Sequence, residues 1–207
     1  MKLDQRLQQY GWESADALAD HSYTLPAIQN LLPSGKLKIL DAGCGNGFIA
    51  GRLADMGHQV TAFDLSEDGI AIAKEKYPNV RFDVRSVYDE VNDLIDQVDI
   101  IISSEVIEHL YYPQRFLKNM HPILCEGGFL ILTTPYHGYA KNLALSIFDK
   151  WDNHHTVDWE GGHIKFFSQN TLSCMLKGAG YENVMYNNAG RIRWLWKSMV
   201  CRAQKKK

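Results

Sequence analysis

Four side chains in two short stretches are of the types that metal or acid/base chemistry needs. In Ser103-Ser-Glu105-Val-Ile-Glu108-His109-Leu, a helical turn would set Glu105, Glu108 and His109 at i, i+3 and i+4, on one face. Two carboxylates and an imidazole so grouped can hold a divalent cation or move a proton. His163, in Gly161-Gly-His163-Ile-Lys-Phe-Phe-Ser168, is a fourth candidate. His137, His154 and His155 complete the pool from which a general base would come. An acid early in a helix also offsets its dipole, so the glutamates have a structural use as well.

Upstream, Ile39-Leu-Asp41-Ala-Gly43-Cys44-Gly45-Asn-Gly47 leads two apolar residues into an acid and then sets glycine at every second position. Such glycines let the main chain turn with φ > 0 and let a bulky ligand lie against it. The spacing departs from the dinucleotide fingerprint G-x-G-x-x-G, and Asp41 would repel a pyrophosphate, which disfavours an NAD-binding protein. A cationic ligand suits that acid, and S-adenosylmethionine carries both a sulfonium and an ammonium group. Gln59-Val-Thr-Ala-Phe-Asp64 reads as a second strand ending in an acid, placed to bind both hydroxyls of a ribose.

From residue 36 to the C-terminus the chain resembles class I S-adenosylmethionine-dependent methyltransferases. The resemblance implies that Asp41 and the main chain of Gly43, Cys44 and Gly45 face the methionyl end of the cofactor. It also implies that Asp64 takes the ribose and Leu65 packs on the adenine, with Ser103 among the contacts at the end of the fourth strand. Many relatives place an Asp after the third strand to accept from the adenine amino group. Here Arg85-Ser86-Val87 stands instead, leaving Ser86 as a weaker acceptor with Val87 beside it.

The E-x-x-E-H motif followed by a later His is similar to the magnesium-dependent ubiquinone-pathway O-methyltransferases and to the small-RNA 2′-O-methyltransferases. Carried over, Glu105, Glu108, His109 and His163 become ligands of a Mg²⁺ that gathers neighbouring acceptor hydroxyls. His109, His163 and His155 are the expected catalytic residues. The expected reaction is O-methylation of a small molecule with adjacent hydroxyls, such as a catechol or a sugar. A metal-free N- or O-methyltransferase and a non-catalytic cofactor-binding module are the alternatives. Residues 135–162, long for a connection and rich in Trp, His, Asn and Asp, are expected to shape the acceptor pocket.

Strands alternating with helices predict an α/β fold, a Rossmann-like, mostly parallel, doubly wound sheet. Helices are expected over residues 48–56, 67–77, 113–122 and from Ser168, and strands over 80–84, 98–103, 129–133, 182–187 and 194–201. The family pattern implies seven strands, the last antiparallel between its neighbours. Residues 1–35 read as a helical cap, with Leu3, Leu7 and Tyr10 on one helix and Leu25, Ile28, Leu31 and Leu32 on the next. The resemblance makes that cap a flap, with Trp12 and Tyr23 as contacts, on a methyltransferase domain spanning residues 36–207.

A chain of 207 residues, 45% hydrophobic and 22% charged, fits one globular domain. A formal charge of -2 lacks the broad positive field that duplex nucleic acid needs. Cys44, Cys125, Cys174 and Cys201 form no C-x-x-C pair and read as reduced thiols. With no signal-like leader and no long apolar run, a cytoplasmic monomer or homodimer without membrane contact is expected. The tail Lys205-Lys-Lys reads as solvated.

Overall fold

The computed structural model describes residues 11–152, 161–190, 192 and 195–206. Along the chain come α1 (His21–Gln29), β1 (Lys38–Ala42), α2 (Phe48–Asp55), β2 (Gln59–Asp64), α3 (Glu67–Lys76), β3 (Arg81–Val84) and β4 (Val98–Ser104). Then follow α4 (Pro113–Met120), β5 (Leu124–Pro135), α5 (Tyr139–Ile147), α6 (Gln169–Gly178), β6 (Tyr181–Ala189) and β7 (Ser198–Lys205). They build one seven-stranded sheet in the order β3-β2-β1-β4-β5-β7-β6. Strands β3 to β5 are parallel, and β7 runs antiparallel to both β5 and β6.

The central strands are apolar on both sides because helices cover both faces. Leu40 and Ile101 face a core shared with Phe116 of α4 and Leu172 and Leu176 of α6. Their neighbours Ile39 and Ile100 point the other way, into a core built with Ile28 of α1, Leu53 of α2 and Ile70 of α3. Local chemistry fixes the helix starts. The Ser66 hydroxyl accepts from Gly69 N at 3.1 Å, with Glu67 and Asp68 in the first turn of α3. Ser168 and Thr171 form a reciprocal capping box that opens α6.

Several expectations are corrected. The strand expected over 129–133 starts earlier, at Leu124, which already pairs with Val98 and puts Glu126-Gly-Gly inside β5. A register shift between Val98 and Ile100 absorbs the extra residues, with Gly127 at φ 75. The last strand starts at Ser198, not at Trp194, and runs on to Lys205. Its register is set by antiparallel pairing of Ser198 through Gln204 with Pro135 through Phe129, which buries Val200, Cys201 and Ala203. Ile192 and Leu195 are exposed, Trp196 lies edge-on to Tyr136 at 5.3 Å, and Trp194 is outside the described residues. Lys205 is not a solvated tail, since its Nζ donates to the Leu124 carbonyl at 2.6 Å. The helix expected around Leu3, Leu7 and Tyr10 lies outside the described residues. Among the described residues, no helix is long and apolar enough to cross a membrane.

Candidate functional site

At the carboxyl end of β1 the chain turns through Gly43, Gly45 and Gly47, at φ 82, 52 and 75. Gly43 N and Cys44 N donate to the Phe63 carbonyl at 2.8 and 3.0 Å, folding the turn onto β2. A Cβ at position 43 would fall 2.6 Å from Val106, and one at 45 would fall 2.3 Å from the Trp12 ring. Glycine is therefore required by space as well as by φ. The Asp64 carboxylate accepts from Gly45 N and Ser66 N, both at 2.8 Å, so strand-end acid and glycine turn form one unit.

Asp41 is buried, and its Oδ2 has no hydrogen-bond partner. Burial, and then the charge of Asp64, push the Asp41 carboxyl up to about 7. Burial also raises Asp64, against the N–H groups of Ser66 and Gly45. Two buried carboxylates that repel each other across a turn make a site for a positive ligand. Beside them Leu65 is 51% exposed, open to an aromatic face. The Ser86 hydroxyl accepts from Tyr88 N at 3.2 Å, and Val87 packs against the core. Ser103 is committed elsewhere: it is buried, and its hydroxyl donates to the Ala42 carbonyl at 2.8 Å, tying β4 to the turn.

An N-terminal strap crosses this turn. Asn46 Nδ2 donates to the carbonyls of Ser14 and Asp16 at 2.9 and 3.0 Å, and Trp12 fills the notch left by Gly45 and Gly69. Asn46 escapes sequence reading because its partners are main-chain carbonyls, which no side-chain pattern reports.

Past β4, Glu105 sits at φ 53, and a single 3-10 turn spans Ile107–His109. The expected shared face of Glu105, Glu108 and His109 is therefore corrected, because Glu105 precedes the turn in left-handed conformation. Its carboxylate accepts from the hydroxyls of Thr133 and Ser198, both at 2.9 Å. Glu108 is fully buried, its Oε2 accepts from Thr134 at 3.1 Å, and among the described residues no donor reaches Oε1, although the carboxyl contacts that of Glu105. The Glu108 carbonyl accepts from Ile164 N and Lys165 N at 3.0 and 2.9 Å, which brings His163 to His109 with ring centroids 4.8 Å apart.

One ligand atom each from Glu108, His109 and His163 lies within 4.8 Å of the others. Glu105 is not one of these three, but its carboxyl is in side-chain hydrogen-bond contact with that of Glu108. Burial, and then the charge of Glu105, hold the Glu108 carboxyl well above the usual carboxylate range. Burial lowers His109. His109 Nδ1 lies 3.3 Å from the Gly162 carbonyl and donates to it in the tautomer that carries its proton there.

A cavity of about 180 Å³ at the end of β5 is lined by Tyr136, His137, Phe167, Gln169, Asn170 and Met199. Tyr136 and His137 thus come from the segment expected to shape a pocket, whereas Trp151 donates to Ser146 Oγ at 3.0 Å on an exposed surface. His154, His155 and Trp159 lie outside the described residues. Sequence reading missed Lys141, which burial pushes down to about 8 against the opposing charge of Glu105. Its lone position in an apolar-looking stretch gave no signal.

Comparison with known proteins places these features. Residues 4–186 match the family model described as a methyltransferase domain. A ubiquinone biosynthesis O-methyltransferase of Ruegeria pomeroyi is 28% identical over 177 residues, 79% of this chain and 68% of that protein. The fold matches magnesium protoporphyrin IX methyltransferase of Synechocystis PCC 6803, crystallised with bound SAH, at TM-score 0.66 and 17% identity, covering 88% of this chain and 82% of that one. It also matches the [4+2]-cyclase SpnF at TM-score 0.69 and 18% identity, covering 88% and 80%, so the fold alone does not set the reaction. With the family model spanning most of its length, the chain belongs to the methyltransferase-domain family and is a class I S-adenosylmethionine-dependent methyltransferase.

Proposed function

We propose that the protein transfers the methyl group of S-adenosylmethionine to a hydroxyl of a small molecule with adjacent hydroxyls, a catechol or a sugar. The observation that carries this is the trio Glu108, His109 and His163, whose ligand atoms lie within 4.8 Å of one another around a fully buried carboxyl. The O-methyltransferase relatives support the choice of oxygen as acceptor.

One carboxylate and two imidazoles fit a divalent cation, Mg²⁺ or Mn²⁺, and Glu108, His109 and His163 would hold it. Such an ion lowers the pKa of a bound hydroxyl. The chain's own residues do the rest. Asp41 and Asp64 anchor the cofactor at its ammonium and ribose ends, and Leu65, Ser86 and Val87 border the adenine. His109, its ring kept neutral by burial, carries no positive charge to oppose ligation, and without a metal the same ring would take the acceptor proton. Holding the hydroxyl in line with the sulfonium lowers the barrier by about 7 to 11 kcal/mol. In this reading residues 1–35 cap the site, and Tyr136 and His137 border the acceptor.

The test is methyl transfer from labelled cofactor to a panel of catechols and sugars, run with chelator and with Mg²⁺ or Mn²⁺ restored. Turnover of a vicinal diol that stops in chelator and returns with metal is the expected result. Turnover confined to amine acceptors would overturn oxygen as the target, and full turnover in excess chelator would remove the metal.

A further inference from the structure

The inner cavity, at about 180 Å³, is smaller than the ~300 to 1,000 Å³ of ordinary small-molecule pockets. It has room for a small ring and little more. The segment carrying His163 also borders a groove of about 670 Å³, lined by Tyr111, Tyr112, Arg115, Lys118, Lys165 and Met175 among others. Lys165 lines the groove while Phe167, two residues on, lines the inner cavity. Tyr111 and Lys165 are each two residues from a histidine of the trio, a separation that extended chain covers in about 7 Å.

The charge of this groove is one-sided. Among the described residues, Arg115, Lys118 and Lys165 line it with no Asp or Glu, in a chain whose formal charge is -2. Arg115 is fixed, its Nη2 donating to the Tyr88 carbonyl at 3.2 Å and its guanidinium lying 5.6 Å from the Tyr88 ring centroid. Helix α4 begins here with no side-chain cap and no acid in its first turn, so the positive end of its dipole adds to the same field. Tyr111 and Tyr112 are 70% and 67% exposed at the lip, flat surfaces for a planar arm.

We propose that the acceptor carries an anionic group, a carboxylate or a phosphate, on an arm that leaves the inner cavity and lies between Lys118, Lys165 and Arg115. The proposal rests on the reading of the Glu108, His109 and His163 trio as the acceptor site. It makes substrate choice a matter of charge as well as of adjacent hydroxyls.

Two readouts test it on the full chain. In the first, inorganic pyrophosphate is titrated calorimetrically into the wild type and into a Lys118→Gln/Lys165→Gln variant. Binding that weakens about tenfold in the variant and fades with added salt is expected. Binding that is absent, or equal in both proteins, overturns the proposal. In the second, methylation of caffeate is compared with that of its neutral methyl ester. The kcat/KM ratio of caffeate over ester is expected to fall about tenfold in the double variant, through KM rather than kcat. An unchanged ratio overturns the assignment of the acceptor's arm to the groove. Should neither catechol be methylated while pyrophosphate binding still depends on the two lysines, the O-methylation reading fails and anion recognition by the groove stands.

Discussion

Gly45 donates its main-chain N–H to the Asp64 carboxylate at 2.8 Å, so the acid we propose for the ribose also shapes the turn we propose for the methionyl end. Asp64→Ala is expected to weaken S-adenosylmethionine binding by about 10- to 100-fold, from charged hydrogen bonds each contributing about 1.5 to 3 kcal/mol. It should also lower the melting temperature of the cofactor-free protein, because Gly45 N and Ser66 N lose their acceptor. Calorimetry and thermal unfolding measure the two effects, and an Asp64→Asn variant that loses affinity alone would separate them.

Burial holds the Asp41 carboxyl near 7, above its unfolded value near 3.8, so the folded protein binds a proton there that the unfolded chain has lost. Without cofactor, stability should therefore fall as pH rises from about 4 to about 7. A bound ammonium or sulfonium favours the ionised form and removes that slope. The melting-temperature gain from S-adenosylmethionine should accordingly grow with pH across this window, and Asp41→Asn should make it flat. A wild-type gain that is constant from pH 5 to 8 would count against Asp41 as the cofactor's counter-charge.

Thr134 donates to Glu108 Oε2, orienting the one carboxylate of the trio. Mn²⁺ binding, followed by calorimetry, should weaken about 10- to 100-fold in Thr134→Val and at least as far in Glu108→Gln. Glu105→Gln should cost less, because Glu105 is outside the trio and its carboxylate accepts from Thr133 and Ser198. Equal losses for Glu105→Gln and Glu108→Gln would return Glu105 to the ligand set.

At position 45 a methyl group meets both a positive φ and the Trp12 ring at 2.3 Å. Gly45→Ala should cost about 1 to 2 kcal/mol from backbone strain and expel Trp12 from its notch. A red shift of tryptophan fluorescence with weaker cofactor binding is the expected signature. If Trp12→Ala is made first, Gly45→Ala should cost less, a non-additivity that the double-mutant cycle reads directly.

What could be read from the sequence was whatever repeats locally. Gly43, Gly45 and Gly47, the strand-end acids Asp41 and Asp64, and the Ser168 cap each declare themselves within a few residues, and the parallel sheet follows from their alternation. Glu108, His109 and His163 could be grouped through the family motif. That Glu105 is not a member of that trio could not, since its placement depends on a left-handed residue and on hydroxyls from β5 and β7. The start of β7 was misplaced for a related reason. Its register is dictated by β5, while the aromatic alternation before it imitates a strand. Asn46 and Lys141 were invisible because main-chain carbonyls and long-range burial leave no pattern in sequence.

Strand β7 is the last described element of the chain, yet it lies between β5 and β6 and supplies the Ser198 hydroxyl that holds Glu105. During synthesis at roughly 5 to 20 residues per second, β1 to β5 can pair while the remainder is still being made. The gap beside β5 stays open until β7 emerges from the ribosome, so an edge rich in Phe129, Leu130, Ile131 and Leu132 waits unpaired. The end of the sheet that carries Glu105 is therefore completed last, and the nascent chain passes through a stage in which the apolar half of β5 is exposed to other chains.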